Sequence, residues 1–584
     1  MKLFSTELKN PLILASGILG VTLASLRRVH TEGAGAVTTK SITVSKRKGH
    51  KAPIFYMYSG SALNSVGLSN PGVDDFIRQI SRERMDFPLI VSIFGNTIDE
   101  FIMLVEKLNP FDFLCFELNL SCPNVEDEFG KPVSYSPERT GIIVRETRGV
   151  SKKPIIAKLS PDAPSLVAVA CAAEKSGADA ICISNTLGQG MIIDVSTGTP
   201  VLSAKAGGLS GKSIFPLTVK NVYDVYSEVN VPIIGTGGVT DANDVIQLIM
   251  AGASFIGLGT AIYTEGISVF KKIDEEIRNF MQINKIDSID ELIGYSHRKN
   301  KKYFINPFSS SGHSIAVSEI IDIYEDTKGI VRNIYLKYRG NGEPKPGQFY
   351  MIWIPGVDQK PFSVSFFDGS VIGFSVKKRG EFSRKIFLLK KGDFIGLTGP
   401  LGSGFSCGIS GKRFLLVGGG IGIAPLVFAA KKLAEMDREV LLFMGASGRS
   451  ELSWTFEMLE RSGLNDKIYI ETCTEDGSHG LKGLLTDYFE QLLKKYQPDF
   501  SFICGPEIFI EKSISILTGL GLKGEASVER MMKCGVGICG SCCIDDTGER
   551  VCVEGPVFPI DHLASLEEFG RYRRDESGSI VPIS

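Results

Sequence analysis

The sequence predicts an α/β protein that opens with a (β/α)8 barrel and continues into an antiparallel β-barrel and a parallel α/β domain. The first observation is a repeated alternation of short apolar runs with longer amphipathic segments up to about residue 270. The second is a change of pattern beyond residue 314. There, stretches in which apolar and polar residues alternate are separated by Gly and Pro. The third is the return of apolar runs separated by helical segments after residue 409.

Eight apolar runs predict the strands of the first barrel. They are PLILAS, GAVTTKS, PLIVSIFG, FLCFELNLS, PIIAKLS, ADAICISN, VPIIGTGG and SFIGLGT. Eight parallel strands, each followed by a helix within about 250 residues, describe this fold. Continuous apolar strands suit a sheet that is covered on both faces. Because such barrels carry their chemistry after the strands, the polar residues at the strand ends are the candidate functional residues.

The second half of the chain predicts two more sheets. The runs IVRNIYLKY, GQFYMIWI, KPFSVSFF and VIGFSVKK predict antiparallel strands, and RFLLVGGGIGIAPL, VLLFMGAS, KIYIETCTE and FSFICGP predict parallel ones. The predicted domains are a barrel at 1–290, a linker at 291–313, an antiparallel β-barrel at 314–408, a parallel α/β domain at 409–524, a cysteine loop domain at 525–560 and a polar tail at 561–584.

Composition narrows the classes of partner. The 64 basic residues nearly balance the 66 acidic residues. This balance gives no support for binding to nucleic acid or to an anionic membrane surface. No apolar run approaches the roughly 18 to 20 residues of a membrane span. Twelve cysteines in a long chain, several of them in core-like segments, favour a reducing compartment over a disulfide framework. We therefore expect a cytoplasmic protein that acts on small molecules.

Four cysteines near the C-terminus form the most specific motif in the chain. Cys534, Cys539, Cys542 and Cys552 are separated by four, two and nine residues, a spacing that fits a [2Fe-2S] cluster. A structural zinc site is the alternative, but zinc usually takes two pairs of closely spaced ligands. A cluster of this kind implies one-electron transfer, so a donor and an acceptor are expected elsewhere in the chain.

A glycine-rich turn predicts a dinucleotide site in the parallel domain. The segment VGGGIGIAPL follows an apolar strand and precedes a helix, which is where a pyrophosphate meets backbone amides. The turn places Gly418, Gly419, Gly420 and Gly422 at the sheet edge. Cys504 and Gly505 end a later strand at the same edge, which strengthens the prediction.

Amide side chains and one cysteine gather at the predicted strand ends of the first barrel. Cys122 lies beyond its strand among polar residues, unlike Cys115 and Cys182, which lie within apolar runs. A buried cysteine is usually a small apolar residue, but this position favours a chemical role. Four asparagines, Asn64, Asn119, Asn124 and Asn185, suit a planar ligand rich in imide and carboxylate groups, such as a pyrimidine.

The region from residue 314 to 558 resembles the electron-transfer subunit of NAD-linked (class 1B) dihydroorotate dehydrogenases, a member of the ferredoxin reductase superfamily. The resemblance is carried by KPFSV at 360–364, GEFS at 380–383, GPLGSGF at 399–405, GGGIGIAPL, CGP and the cysteine loop. It implies FAD contacts at Lys360, Pro361, Phe362, Ser363, Gly380 and Ser383, and NAD contacts at Gly418, Gly419, Gly420, Gly422, Cys504 and Gly505. Lys360 stands where the family usually has Arg, so a point charge replaces a bidentate phosphate contact.

Residues 1 to about 290 resemble the catalytic subunit of dihydroorotate dehydrogenase. The resemblance implies that Cys122 is the base that removes the C5 proton of dihydroorotate while C6 delivers hydride to FMN. It implies substrate contacts at Asn64, Gly67, Leu68, Asn119, Asn124, Asn185 and Thr186. It implies FMN contacts at Ser16, Lys40, Ser41, Lys158, Gly207, Gly208, Gly237, Gly238, Gly259 and Thr260. The loop after Cys122 is more acidic than the family pattern.

The two resemblances together imply one enzyme in a single chain. Electrons from dihydroorotate would pass through FMN, the [2Fe-2S] cluster and FAD to NAD+, and the family suggests a homodimer through the barrel. Two other functions stay open on the sequence. One is a dihydropyrimidine dehydrogenase-like reductase of uracil or thymine, and the other is a redox carrier or sensor with a non-catalytic barrel. A stable barrel with a vestigial site is the simplest alternative.

Overall fold

The structure is a computed structural model that describes residues 1–83, 85–120, 133–300, 302–308, 315–326, 328–340, 342–464, 466–575 and 579–583. The chain divides into two compact units, which span Met1–Phe308 and Ser309–Ser584. Each unit has its own sheets and its own buried apolar clusters, so each is described separately.

The first unit is built on a closed barrel of eight parallel strands. Their bounds are β1 Leu12–Leu14, β2 Ala36–Thr38, β3 Leu89–Ile93, β4 Cys115–Asn119, β5 Ile155–Leu159, β6 Ala180–Ile183, β7 Ile233–Thr236 and β8 Phe255–Leu258. Each strand pairs with the next along the chain, and β8 closes on β1. All eight strands fall within the eight apolar runs, so the predicted barrel is confirmed.

Helices cover the outside of this barrel. Their bounds are α1 Leu23–Thr31, α2 Val73–Ile80, α3 Ile98–Leu108, α4 Pro137–Val150, α5 Leu166–Lys175, α6 Phe215–Tyr226, α7 Ala242–Ala251, α8 Ala261–Glu265 and α9 Val269–Asn284. Polar side chains cap several of them; the Thr97 hydroxyl, for example, accepts a hydrogen bond from the Glu100 amide at the start of α3. Apolar residues fill both the layer between strands and helices and the barrel interior, where Cys115, Ile156 and Cys182 pack together.

A small antiparallel sheet, here called the cap sheet, is formed by loops that follow β2 and β6. Its strands are Leu187–Gly190, Gly207–Gly211, Ser61–Asn64 and Phe55–Tyr58, in that spatial order. Because both loops leave the carboxyl ends of barrel strands, the cap sheet lies at the face where barrels carry their chemistry. The cap sheet was not predicted from the sequence.

Residues 291–300 and 302–308 pack within the first unit, although the sequence places them in a linker. Gly294 donates its amide to the Ile249 carbonyl, and the His297 ring stacks on Tyr223 with centroids 3.9 Å apart. Phe304 and Phe308 lie against Phe280. The end of the compact unit is therefore Phe308 rather than residue 290.

The second unit begins with a closed, six-stranded antiparallel barrel. Its strands are β9 Ala316–Glu325, β10 Val331–Lys337, β11 Phe349–Ile354, β12 Asp358–Phe367, β13 Val371–Lys377 and β14 Phe394–Leu401, and a short helix, α10, spans Glu381–Ile386. The four predicted strands are confirmed, and β9 and β14 complete the closure.

A seven-stranded sheet follows the antiparallel barrel. Its strands are β15 Arg413–Gly419, β16 Glu439–Ala446, β17 Tyr469–Thr474, β18 Leu481–Lys482, β19 Phe500–Cys504, β20 Gly524–Ser527 and β21 Val557–Pro559, and its helices are α11 Ile423–Glu435, α12 Ser453–Arg461, α13 Leu485–Tyr496, α14 Glu507–Gly519 and α15 Ile560–Ala564. The sheet is parallel except for β21, which runs antiparallel to β20. The cysteine-containing segment therefore leaves and rejoins one sheet.

The polar C-terminal segment is packed rather than trailing. Leu566 and Phe569 are buried in the apolar cluster that also contains Cys542 and Cys552. Strands Tyr572–Arg574 and Ile580–Pro582 pair with each other. Over the described ranges, none of the helices combines the length and hydropathy that a membrane span requires.

Candidate active site and cofactor sites

A chain of hydrogen bonds joins polar residues at the carboxyl ends of β2, β4 and β6. The Asn119 amide donates to the Ser41 hydroxyl at 2.9 Å, and the Asn185 amide donates to the Asn119 side-chain oxygen at 3.3 Å. The Asn185 oxygen accepts the Thr186 backbone amide at 2.8 Å. Four residues predicted from separate strand ends thus form one continuous polar site.

The cap sheet closes this site from the side of Asn64. The Asn64 amide lies 3.4 Å from the Gly208 carbonyl oxygen, across the pairing of the two inner cap strands. A Cβ on Gly208 would lie 2.2 Å from the Thr186 hydroxyl oxygen, and one on Gly207 would lie 2.4 Å from the Asn64 carbonyl oxygen. Glycine is therefore required at both positions for the cap sheet to approach the strand ends.

The loop after β2 brings a half-buried lysine to the same region. Lys40 donates from its ammonium to the Ser69 hydroxyl at 3.0 Å, and burial lowers its pKa. Gly67 and Leu68, just before Ser69, are both in the left-handed region with φ of 70° and 54°. Ser16 donates to the Thr39 carbonyl at 2.8 Å. The predicted contacts at positions 16, 40, 67 and 68 therefore lie on two linked loops.

A second lysine lies inside the barrel beside a carboxylate. Lys158 on β5 and Glu117 on β4 are each only 4% exposed, and the Lys158 nitrogen is 3.6 Å from a Glu117 oxygen. Burial acts to lower the pKa of Lys158, but the Glu117 carboxylate and, to a smaller extent, Cys182 together raise it above its ordinary value. Burial also raises the pKa of the neighbouring Cys182 thiol to about 12. The site therefore holds an ammonium group on Lys158 and a neutral thiol on Cys182.

Glycines after β7 and β8 leave backbone amides open for a phosphate. Gly237 and Gly238 have φ of 141° and 77°, and a Cβ on Gly238 would lie 2.8 Å from the Gly211 carbonyl oxygen. The amides of Gly237, Gly238 and Gly259 have no backbone acceptor within the described part of the chain. The Thr260 hydroxyl donates to Ser210 of the cap sheet at 3.0 Å. These residues fit the phosphate of FMN, since barrels bind phosphate after strands seven and eight.

Two predicted residues of this site, Cys122 and Asn124, lie outside the described residues. The described chain reaches Leu120, one residue beyond β4 and directly after Asn119. The roles assigned to Cys122 and Asn124 stay predictions.

The two segments that the resemblance assigns to FAD are neighbours in the second unit. Phe362 on β12 stacks on Phe382 of α10, with ring centroids 6.0 Å apart. The Ser383 hydroxyl accepts the Gly380 amide at 3.1 Å, so Ser383 shapes the turn before α10. Lys360 is paired with Asp358 at 3.0 Å and remains partly exposed. Pro361 and Ser363 lie on the same strand, β12.

The two glycine-containing turns of the predicted NAD site are in backbone contact. A Cβ on Gly422 would lie 2.6 Å from the Cys504 carbonyl group and 2.6 Å from the Gly505 Cα. Gly418 and Gly419 end β15, and Gly420 continues the turn with φ of 53°. The strands β15 and β19 are adjacent, so the structure brings both turns to the same sheet edge. Burial raises the pKa of the Cys504 thiol to about 12.

Amide-to-sulfur hydrogen bonds join the four cysteines of the loop in two pairs. Cys539 donates its amide to the Cys534 sulfur and Cys552 donates to the Cys542 sulfur, each at 3.5 Å, while Gly537 donates to the Cys552 sulfur at 3.2 Å. Within the ranges that the structure describes, no three His, Cys, Asp or Glu side chains are close enough for a single metal ion. Four thiols, three of whose sulfurs accept backbone amides, have the donor chemistry of an iron-sulfur cluster.

Sequence reasoning missed one member of the barrel site, Glu117. Its signal was present, because a single acidic residue interrupts the apolar run FLCFELN. On a strand, positions 115, 117 and 119 face the same side, so Glu117 lies one layer below Asn119 in the barrel interior. The apolar context of the run had hidden its pairing with Lys158.

Comparisons with known proteins agree with both units. Residues 1–281 match the family model described as dihydroorotate dehydrogenase, and residues 529–564 match the iron-sulfur cluster binding domain of dihydroorotate dehydrogenase B. The "Dihydroorotate dehydrogenase B (NAD(+)), catalytic subunit" of Pyrococcus abyssi is 42% identical over 294 residues, which is 50% of this chain and 97% of that protein. The subunit of the same name from Methanothermobacter thermautotrophicus is 39% identical over 291 residues, which is 50% of this chain and 96% of that protein.

This chain joins a lysine-containing polar site, at the strand ends of a (β/α)8 barrel, to an iron-sulfur unit. That combination defines an electron-transferring oxidoreductase. The similarity to curated relatives then fixes the family. The chain belongs to the dihydroorotate dehydrogenase family, and it oxidises dihydroorotate in pyrimidine biosynthesis.

Proposed function

We propose that this chain couples the oxidation of dihydroorotate to the reduction of NAD+ within one polypeptide. The observation that carries the proposal is the continuous polar site of Ser41, Asn119, Asn185 and Thr186, which lies at the same strand ends as Lys158. Asparagine offers both a donor and an acceptor, which suits the imide and carboxylate groups of dihydroorotate.

The residues of the barrel have separate roles in this proposal. Asn64, Asn119, Asn124 and Asn185 orient the substrate ring, and the cap sheet excludes water from it. Cys122 takes the C5 proton as the C6–H bond breaks with its electron pair, so that a C5–C6 double bond forms. FMN, when bound, supplies the acceptor for that hydride. Glu117 helps to keep the Lys158 ammonium charged. This ammonium stabilises negative charge on the side of the site where the hydride acceptor binds.

The second unit carries the electrons onward. Cys534, Cys539, Cys542 and Cys552 hold a [2Fe-2S] cluster, and β12 with the turn before α10 holds FAD. The turns at Gly422 and Cys504 hold NAD+. When bound, the cluster supplies one-electron transfer and FAD supplies the two-electron step to NAD+. Lys360, which is paired with Asp358, offers a flavin phosphate a point charge rather than the bidentate contact of an Arg.

We also propose that the enzyme is a homodimer through the barrel unit and that it works in the cytoplasm. Phe55, Tyr58 and Tyr263 support the dimer, because these large side chains are 40%, 60% and 65% exposed and the rings of Phe55 and Tyr263 are 5.3 Å apart. None of the eleven described cysteines is in a disulfide, which supports a reducing compartment; cell fractionation would check this.

Two single variants, each measured at the dihydroorotate side and at the NAD side, test the coupled function. Cys122→Ala is expected to lower dihydroorotate oxidation by about 100- to 10,000-fold, the range for loss of a general base, while NADH-to-dye transfer continues. Cys539→Ala is expected to bleach the cluster absorbance and stop NAD+ reduction, while dihydroorotate still reduces a dye at the barrel.

Two other cysteines provide matched controls for these variants. Cys171→Ala, in α5, and Cys543→Ala, beside a proposed cluster ligand, should retain both activities. Loss of both activities in Cys122→Ala would contradict the division of roles, and NAD+ reduction retained in Cys539→Ala would contradict the route.

A further inference from the structure

A buried ion triad connects three parts of the second unit. Arg530 donates from one guanidinium nitrogen to Glu507 at 2.5 Å, and from the other to Glu507 at 3.1 Å and Glu568 at 2.8 Å. The three side chains are 3%, 5% and 3% exposed. Buried charges persist only when they are paired and hydrogen-bonded, so this triad fixes the relative positions of its three segments.

The three members come from functionally distinct segments. Glu507 is the first residue of α14 and directly follows the Cys504–Gly505–Pro506 turn of the proposed NAD site. Arg530 precedes the first cluster cysteine, Cys534, by four residues. Glu568 lies in the C-terminal segment, beyond residue 564 where the match to the iron-sulfur domain family ends.

The second oxygen of Glu568 reaches the cysteine loop itself. It accepts the backbone amide of Asp545, three residues after Cys542. One carboxylate therefore bridges the chain before Cys534 and the chain between Cys542 and Cys552. Glu568 is thus placed to set the separation of the two ends of the loop.

Other contacts hold the same turn of the loop to the C-terminal segment. Arg574 pairs with both Asp545 oxygens at 2.8 and 2.9 Å. The amides of Glu567 and Glu568 donate to the Asp546 carboxylate. Leu566 and Phe569 are buried in one apolar cluster with Cys542, Cys552 and Ile544.

We infer that residues 565–575 form a strap that holds the cluster loop in place, and that Glu568 is the positioning residue of this strap. The inference goes beyond the electron route proposed above, and it rests on the assignment of the cluster to the four cysteines. Without Glu568, the loop between Cys542 and Cys552 loses its link to Arg530, and Arg530 loses one of its two buried counter-charges.

The test is iron retention and the spectroscopic signature of the cluster in the full-length holoenzyme. Glu568→Ala is expected to release iron to a chelator at least tenfold faster than the wild type and to shift the g-values of the reduced cluster. Glu568→Gln, which can still accept the Asp545 amide, should show a smaller change in the same direction. Glu567→Gln is the matched control, because Glu567 is exposed and contacts Asp546 through its backbone. NADH-to-dye transfer should persist in all three variants.

The possible results distinguish a failure of the strap from a failure of the proposed function on which it rests. Wild-type iron release and g-values in Glu568→Ala would overturn the strap, whereas a wild-type chain without iron would contradict the proposed function first. If Glu568→Ala retains neither flavin, Arg574→Gln takes its place, because this substitution removes an exposed pair to Asp545. Faster iron release in Arg574→Gln supports the strap, and an unchanged rate contradicts it.

Discussion

Glu117 shows how one buried side chain sets the chemistry of another. Lys158 would lose its proton readily in the barrel interior, since desolvation disfavours a charged amine. The carboxylate 3.6 Å away is the main group that opposes this effect, and the pKa of Lys158 is raised. The pair is therefore a means of keeping a fixed positive charge beneath the substrate site rather than a source of stability.

Removing this carboxylate should make the enzyme sensitive to alkaline pH. Glu117→Gln removes the main group that opposes the burial of Lys158, so the pKa of Lys158 falls and the ammonium is lost at a lower pH than in the wild type. Activity should be retained on the acid side and lost as the pH rises. Where Lys158 is neutral we expect a loss of about 100-fold in dihydroorotate-to-dye turnover, the size seen when one electrostatic stabiliser is removed.

The pH profile of kcat, together with FMN content measured at each pH, checks this prediction. Glu106→Gln provides the control, because Glu106 is an exposed carboxylate on α3 of the same unit. A profile of Glu117→Gln that overlies the wild type at every pH would show that Glu117 does not act on Lys158.

At the scale of elements, the proposed NAD site depends on two turns that touch. The turn between β15 and α11 and the turn between β19 and α14 meet at Gly422, where the Cys504 carbonyl leaves no room for a side chain. Only glycine allows this approach, and the approach places both turns at the carboxyl edge of adjacent strands.

A methyl group at this contact should weaken nucleotide binding. Gly422→Ala places a Cβ 2.6 Å from backbone atoms that cannot rotate away. Overpacking of this kind costs about 1 to 3 kcal/mol, so the KM for NADH should rise about 5- to 150-fold. Steady-state NADH-to-dye kinetics measure this, and the FAD content should stay unchanged. Gly519→Ala, at open space on α14, is the matched control; equal KM values for the two variants would refute the argument.

The sequence predicted the elements whose signals are local. Apolar runs marked all eight strands of the first barrel, because a strand covered on both faces needs continuous apolar residues. The four cysteines and the glycine-rich turn were likewise local patterns. The cap sheet was missed because its strands, such as Leu187–Gly190, are short, glycine-rich and paired over long separations.

The other contacts that the sequence did not predict also join residues that are far apart along the chain. Glu117 and Lys158 meet only because β4 and β5 are neighbours, and Glu568 meets Arg530 across 38 residues. The Asn119–Asn185 hydrogen bond spans 66 residues. Residue type alone indicated that these amides bind a ligand, but the order of their contacts required the folded sheet.

At the scale of the whole molecule, each unit contains a complete set of predicted contacts for its own cofactors. The barrel unit contains the residues proposed for FMN and substrate, and the second unit contains those proposed for FAD, NAD and the cluster. Joining them in one chain fixes their stoichiometry and raises their effective concentration. A dimer of such chains would carry two full electron routes.

The proposed dimer can be tested at the exposed edge of the cap sheet. The strand Phe55–Tyr58 is the edge of the cap sheet, and its aromatic side chains are exposed beside Tyr263. An exposed edge with aromatic residues is a site for pairing with a second copy, and a two-fold axis would use the same patch on both chains. Tyr58→Glu with Tyr263→Glu should raise the dimer dissociation constant at least about 100-fold, since each unpaired carboxylate buried in an interface costs several kcal/mol.

Sedimentation equilibrium over a range of protein concentrations measures that constant. The control is Met103→Glu, which places the same charge on an exposed apolar position of α3 in the same unit and should leave the dimer intact. Because the barrel site is built within one chain, the double variant should keep its dihydroorotate-to-dye turnover as a monomer. A wild type that sediments as a monomer, or a double variant that remains dimeric, would show that this edge is not the interface.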